Sequence, residues 1–159
     1  MSARGRATSA GFTYLEMVAT AGILAILASA IMPMARVTRT RPREIELRRE
    51  LRVLRTAIDE YKKAVDAGRI GGTDVKLGSE GYPPDLDTLV EGVNAVGRVD
   101  TKLKFLRRIP IDPMTGSAEW GLRAYEDKPD SKSWGGQDVF DVYTKSEGTG
   151  LDGTKYIDW

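Results

Sequence analysis

A chain of 159 residues has room for one globular domain, or for a small domain and one long apolar helix. Cysteine and histidine are both absent, which excludes disulfides, thiolate metal sites and the usual histidine base or metal ligand. The 24 basic and 23 acidic side chains leave a formal net charge of +1, so bulk charge favours no particular partner. Without the usual catalytic groups, we do not expect an enzyme.

The most distinctive stretch is the apolar segment 12–35, which reads FTYLEMVATAGILAILASAIMPMA and contains a single acid, Glu16. As a helix rising about 1.5 Å per residue it would be roughly 36 Å long, enough to cross a bilayer core of about 30 Å. A carboxylate in such a segment costs on the order of 2.5–3.5 kcal/mol to insert into lipid. We therefore expect a transmembrane helix here, with a partner that neutralises Glu16.

A short polar leader, residues 1–11, precedes this segment and ends in the small residues Ala10 and Gly11. A secretory signal would carry its small-residue cleavage site after the apolar run instead. The string GFTYLE at 11–16 resembles the class III signal of type IV pilins and type II secretion pseudopilins. The resemblance implies that a prepilin peptidase cleaves between Gly11 and Phe12, and that Phe12 is then N-methylated.

The same resemblance supplies a partner for Glu16 and makes 12–35 a filament-core helix. In filaments of that family the freed α-amino group, here on Phe12, meets this glutamate of a neighbouring subunit. Pro33 falls where many relatives also carry proline, so Phe12, Glu16 and Pro33 are the expected assembly residues. The alternative is a signal-anchored protein whose Glu16 lies at the membrane interface.

Two arguments about orientation disagree. The arginine-rich stretch 36–55 outnumbers Arg4 and Arg6 of the leader, and the positive-inside rule would place it in the cytoplasm. The resemblance requires a cytoplasmic N-terminus and a periplasmic domain. We follow the resemblance and expect a single-pass protein of the bacterial inner membrane that assembles into a periplasmic or extracellular filament.

Beyond Pro33 the pattern becomes that of an amphipathic helix over 36–67, with apolar residues spaced by three and four. Those residues are Leu47, Leu51, Leu54, Ile58, Tyr61 and Val65. The stripe predicts a core face, with a coiled-coil seam as the alternative. We expect one long helix from about 13 to 67 that bends or breaks near Pro42 and stops at Gly68.

The sequence pattern of 68–159 predicts loops and short strands, and the resemblance implies that this region is periplasmic. Asp85 is expected to cap a short helix that Gly92 ends. Alternating residues predict strands near 120–124 and 139–143. The fold class is therefore α+β and pilin-like, with a long N-terminal helix, half transmembrane and half amphipathic, packed on a small antiparallel sheet of two to four strands.

Several pieces of this region resemble the major pseudopilin of type II secretion. They are the Tyr82-Pro83 pair, the stretch FLRRIPIDP at 105–113, the strand FDVY at 140–143, and Trp159. The resemblance implies a structural pseudopilus subunit that polymerises through its N-terminal helix and drives protein export across the outer membrane. Its partners would be further copies of itself, minor pseudopilins, the prepilin peptidase, the membrane and the inner-membrane assembly platform.

Two other functions remain as alternatives. One is a type IV pilin for adhesion, twitching motility or DNA uptake, against which the missing disulfide pair weighs. The other is a signal-anchored envelope enzyme, which the absence of histidine and cysteine leaves with little chemistry. The arginines of 36–55 could bind nucleic acid or lipid head groups, but the acids between them favour pairing within and between subunits, and no nucleic acid is expected.

The C-terminal loop raises two ligand questions. Its glycines spell G-x-G-x-x-G from Gly148 to Gly153, but the six residues that follow are too few for a dinucleotide-binding βαβ unit. The resemblance implies calcium in the loop 145–155, where Glu147 and Asp152 offer the oxygen ligands that Ca²⁺ needs. An ordinary solvated turn is the alternative, and no other cofactor is expected.

Overall fold

The computed structural model describes residues 11–71, 75, 78–97 and 101–159, apart from the side chains of 30–37 and 39. Residues 1–10 of the predicted leader, and the side chain of Pro33, therefore lie outside the described part of the chain. The elements, in chain order, are α1 (Tyr14–Asp66), α2 (Leu86–Glu91), β1 (Val93–Asn94), β2 (Lys102–Leu103), β3 (Gly121–Arg123), β4 (Asp141–Tyr143) and a 3₁₀ turn (Tyr156–Asp158). The predicted α+β class is confirmed.

The chain divides into two compact units, 1–39 and 40–159. Helix α1 contributes described side chains to both, at 14–29 in the first unit and at 40–66 in the second. The expectation of one continuous, bent helix from 13 to 67 stays a prediction.

The part of α1 in the first unit corrects the predicted location. Among the described residues, no helix is both long and apolar enough to span a membrane. The prediction of a single-pass inner-membrane protein with a periplasmic domain is therefore wrong on the described structure.

The core of the second unit forms along the predicted stripe of α1. Leu47, Leu54, Ile58 and Tyr61 are fully buried, and Leu51 is nearly so. They pack in one cluster with residues from every other part of the unit, namely Leu86, Leu89, Val93, Leu106, Trp120, Val139, Val142 and Tyr156. The stripe is thus the core face of a domain, and the coiled-coil alternative is wrong.

Two small antiparallel ladders cover this core in place of the single sheet expected. β1 pairs with β2 through Val93 and Leu103. β3 pairs with β4, where Leu122 lies opposite Val142. The strands are two or three residues long, so the core is closed by loops and helix contacts more than by the ladders.

Helix α2 has the predicted ends. The Asp85 carboxylate accepts hydrogen bonds from the backbone N–H and the hydroxyl of Thr88, both at 2.7 Å, as an N-cap does. Gly92 ends the helix with φ of 81°, and a Cβ there would lie 2.8 Å from the carbonyl oxygen of Leu103. The close approach of β2 and the left-handed backbone both require glycine at this position.

The neighbouring residues Leu54 and Val53 test the core assignment. Leu54 is fully buried, whereas Val53 is 40 % exposed. We expect Leu54→Ala to lower the free energy of unfolding by about 2–5 kcal/mol, because it leaves a cavity in the core. Val53→Ala on the same helix turn should cost less than about 1 kcal/mol. Urea unfolding measures both, and equal costs would contradict the described packing.

Candidate functional site

The predicted processing and assembly residues lie at the start of α1. Gly11 and Phe12 precede the helix, and both are exposed, as is Glu16 in its first turn. A Cβ added to Gly11 would meet no described atom within 4 Å. The junction between Gly11 and Phe12 is therefore sterically open to another molecule.

Glu16 also has a local role that the sequence reasoning missed. The Thr13 hydroxyl oxygen accepts a hydrogen bond from the Glu16 backbone N–H at 3.3 Å, and the Thr13 carbonyl accepts one from Met17 N–H at 3.1 Å. Thr13 is thus an N-cap, and the spacing Thr13-x-x-Glu16 matches a capping box. A carboxylate in the first turn also interacts favourably with the helix dipole.

The described residues after Thr13 form a helix surface that is apolar on all sides. Every described residue from 11 to 29 is exposed. The large apolar side chains among them are Phe12, Tyr14, Leu15, Met17, Val18, Ile23, Leu24, Ile26 and Leu27. A helix that is apolar all round is normally buried in a core, a bundle or a membrane, and no described residue of this chain buries these side chains.

The C-terminal loop places Asp152 against α1. One Asp152 carboxylate oxygen lies 3.0 Å from the Arg48 guanidinium. The other accepts the Thr154 hydroxyl at 2.6 Å and the Thr154 backbone N–H at 3.0 Å. These two bonds to Thr154, followed by the charge of Arg48, lower the pKa of Asp152. Both carboxylate oxygens are therefore already occupied by donors.

The predicted calcium ligands are not brought together with further acids. Glu147 is exposed, and the described residues contain no cluster of three or more acids that could hold a metal ion. Calcium at Asp152 and Glu147 stays a prediction. Binding there would require the Arg48 guanidinium to leave the Asp152 carboxylate.

Two further side chains of α1 fasten the same C-terminal segment. The Glu44 carboxylate accepts the Leu151 backbone N–H at 2.7 Å and the Tyr156 hydroxyl at 3.0 Å. Burial, and then the bond to Glu44, raises the pKa of Tyr156. Arg55 donates to the Asp141 carboxylate at 2.7 Å, the Val142 carbonyl at 3.2 Å and the Trp159 backbone oxygen at 2.8 Å.

We call the contacts of Glu44, Arg48 and Arg55 with the segment 141–159 the C-terminal latch. The Arg48 guanidinium also stacks over the Trp159 indole at 4.1 Å, a cation–π contact. The sequence pattern showed the arginine cluster on α1 but not its partners, because those lie about a hundred residues away in the chain. The C-terminal latch has a structural role, because its hydrogen bonds and ion pairs hold the segment 141–159 against α1.

The glycine-rich sequence in this region forms a turn. Gly150 N–H donates to the Thr154 carbonyl at 2.8 Å, and Thr149 pairs with Lys155 in an isolated bridge. Gly153 has φ of 84°, which favours glycine. No helix begins at these glycines, so they lack the phosphate-binding context of a dinucleotide motif.

Comparisons of the chain with family models, with curated proteins and with solved structures gave no match. The resemblance to pilins and pseudopilins, and everything it implies for Gly11, Phe12, Glu16 and Pro33, stays a prediction.

Arg55 is the best test of the latch. Arg55→Ala removes three hydrogen bonds, one of them to a carboxylate, and we expect it to lower the free energy of unfolding by about 1–3 kcal/mol. Arg49 is the matched control, because its side chain is 69 % exposed and its ion pair is with Glu46 on the same helix. Arg49→Ala should cost less than about 1 kcal/mol. Equal costs in thermal or urea unfolding would show that the latch contributes nothing.

The lowered pKa of Asp152 gives the latch a pH dependence of known sign. A carboxyl group whose pKa is lower in the folded protein stabilises the fold above its unfolded pKa, and that contribution is lost as the pH falls through the folded pKa. We expect the Thr154 amide signal in NMR to titrate below the ordinary aspartate range. Asp152→Asn should abolish that titration. A midpoint at or above the ordinary value would contradict the described contacts.

Proposed function

We propose that this protein is the structural subunit of a pseudopilus in a type II secretion-like system, and that it polymerises through its N-terminal helix. The observation that carries the proposal is the apolar surface of residues 12–29, which the described remainder of the chain leaves exposed on all sides. Such a surface requires cover from outside the chain, and in a filament the equivalent helices of other copies provide it.

The energy available from that burial is large. A big apolar side chain contributes about 1.5–3 kcal/mol when it is removed from water. The exposed set on this helix therefore offers on the order of 10–20 kcal/mol before the entropic costs of association. A helix that is apolar all round, and not along one stripe, can use contacts with several neighbours at once, as the core of a helical filament requires.

Glu16 would fix the offset between neighbouring helices along the filament. Burial of a carboxylate among apolar helices is unfavourable unless a cation accompanies it. Removal of residues 1–11 frees the α-amino group of Phe12, whose ordinary pKa near 8 makes it cationic at neutral pH. We propose that this amine pairs with Glu16 of the next copy, so that each subunit offers both halves of the contact in an open, heterologous assembly.

We further propose that 13–67 acts as one helix, with the domain 40–159 on the outside of the filament. The helical range Tyr14–Asp66 supports this arrangement, as does a domain with its own core. The lack of histidine and cysteine fits a structural part more than an enzyme. Minor pseudopilins, a prepilin peptidase and an assembly platform would be the partners, and filament growth would push folded cargo through an outer-membrane pore.

Glu16→Gln separates charge pairing from helix capping. Glutamine can replace glutamate in a capping box, so the variant keeps the helix start but loses the negative charge. We expect leader removal to persist, as read from the mass of the native N-terminus, while filaments and secretion are lost. Thr13→Ala is the control, since it loses the cap at a cost of about 1 kcal/mol but keeps the charge, and it should still assemble.

Other results would overturn parts of the proposal. Normal filaments from Glu16→Gln would exclude the pairing with Phe12. A native chain that keeps residues 1–11, or a processed chain that never polymerises, would exclude the filament subunit altogether. Surface filaments with twitching and no secretion defect on deletion would identify a type IV pilin instead.

A further inference from the structure

The domain 40–159 carries an exposed aromatic cluster far from the assembly helix in sequence. Tyr82 stacks on Tyr125 with ring centres 5.8 Å apart. Phe140 meets both rings edge-on, at 5.2 Å from Tyr82 and 5.4 Å from Tyr125. Tyr125 is 53 % exposed and Phe140 is 43 % exposed. We call these three residues the aromatic patch. Three packed rings on the surface form a rigid apolar contact that loses little side-chain entropy on binding.

Acidic side chains surround the aromatic patch. Tyr125 leads directly into Glu126 and Asp127, and its backbone N–H donates to the Asp138 carboxylate at 2.9 Å. Burial raises the pKa of Asp138; the Tyr125 N–H opposes that shift, and the charges of Asp127, Glu126 and Glu80 add to it. Of these acids, Glu80 and Glu126 are exposed to solvent.

Cations also lie near the aromatic patch. The Lys62 ammonium lies 5.8 Å from the Tyr82 ring and forms an ion pair with Asp66. Lys128 is exposed on the loop that follows Asp127 and offsets part of the acidic charge there, so the border keeps an excess of acids only because Glu80, Glu126 and Asp127 outnumber it.

A second exposed apolar surface lies between α1 and the segment 105–111. The groove there has a volume of about 580 Å³. Its apolar residues include Val53, Phe105, Leu106 and Ile111, and Ile111 is 63 % exposed. We call it the arginine-bordered groove, because Arg49, Arg107 and Arg108 stand around these apolar side chains.

The charges of this groove are mostly positive. Of its two acids, Glu46 pairs with Arg49 at 3.3 Å. Burial, and then the neighbouring Glu46 carboxylate, raises the pKa of Glu50. Within the described part of the chain, no ion pair involves Arg107 or Arg108. Both guanidiniums are exposed; the charge of Arg108 already acts on the nearby Glu50, whereas Arg107 has no such neighbour among the described residues.

We propose that the aromatic patch of one subunit docks into the arginine-bordered groove of the next copy. The inference rests on the proposed filament and names its contact between domains. Both surfaces have an apolar centre and a charged border, as protein interfaces do, and the borders have opposite sign. Arginine also stacks on aromatic rings, as Arg123 already does over Tyr143 at 4.2 Å within the domain.

The proposed contact is heterologous, because it joins two different surfaces, the aromatic patch of one copy and the arginine-bordered groove of the next. Two aromatic patches facing each other would bring acids together, and two grooves would bring arginines together, so like surfaces repel. A patch meeting a groove leaves one free patch and one free groove on every pair. The contact can therefore repeat from copy to copy, and it gives a filament when the rotation between copies does not close into a ring.

The absence of native cysteine makes the contact directly testable. Lys128→Cys places a thiol on the exposed loop beside the aromatic patch, and Ile111→Cys places one in the groove. In the full-length chain carrying both substitutions, a bismaleimide cross-linker applied to assembled protein should give a ladder of dimers, trimers and higher species. Chains with either substitution alone should stay monomeric on the gel, and two such chains co-assembled should give dimers.

The control replaces Lys128→Cys with Glu91→Cys, an exposed position on α2 outside both surfaces, and should give no ladder. Self-linking of either single variant, or filaments of the double variant without a ladder, would overturn the docking proposal. Failure of the wild-type chain to polymerise at all would instead overturn the proposed function, so the two failures are distinguishable.

Charge reversal gives a second measurement. We expect Arg107→Glu combined with Arg108→Glu, or Glu126→Arg alone, to reduce the polymerised fraction about tenfold. Asp127 is left unchanged, because its carboxylate accepts the backbone N–H groups of Ala124 and Gly135. Carrying both reversals in one chain should restore polymer to within about threefold of wild type, because the border charges again oppose. No restoration, with the domain still folded by circular dichroism, would contradict the pairing of these two surfaces.

Discussion

An apolar helix that the described part of its own chain does not bury is the constraint on which the other inferences depend. A globular protein normally covers such a surface, since its exposure to water is unfavourable by many kcal/mol. Here the described residues 12–29 are exposed on every side, while the domain 40–159 closes a separate core on α1. The described residues of the first unit thus leave an apolar surface uncovered, whereas the second unit has its own core. We propose a repeating assembly because an exposed apolar helix is joined in one chain to a domain that has its own core.

In the domain, charged side chains hold the C-terminal segment in place. Its strands are too short to hold the final segment by backbone pairing, and side chains of α1 do so through Glu44, Arg48 and Arg55. Arginine suits this role because its planar group can donate to several acceptors at once. The arginines of 41–55 are thus partly explained by contacts inside the domain. Arg107 and Arg108 lie on a different segment and have no ion pair within the described part of the chain, and the proposed contact between subunits uses these two.

Local signals in the sequence predicted local structure well. The leucine stripe of α1, the Asp85 cap and the Gly92 stop depend on residues a few positions apart, and the structure confirms them. The predicted membrane location was wrong for the described residues, among which no helix is long and apolar enough to span a membrane. The latch, and the pairing of Tyr82 with Tyr125 and Phe140, could not be predicted, since such contacts join side chains that no spacing rule connects. The helix cap at Thr13, which accepts the Glu16 N–H, could be predicted from the spacing Thr13-x-x-Glu16.

The latch also constrains when the domain can fold. Arg48 reaches Asp152, and Arg55 reaches Trp159, across 104 positions each. During synthesis α1 emerges before the segments that cover it, and its leucines gain core neighbours such as Trp120, Val139 and Val142 only after those residues are made. Contacts so distant in the sequence form slowly, and the exposed leucines are prone to wrong associations in the interval. A newly made chain thus presents two apolar helical surfaces, one that the domain later buries and one that the described residues leave exposed.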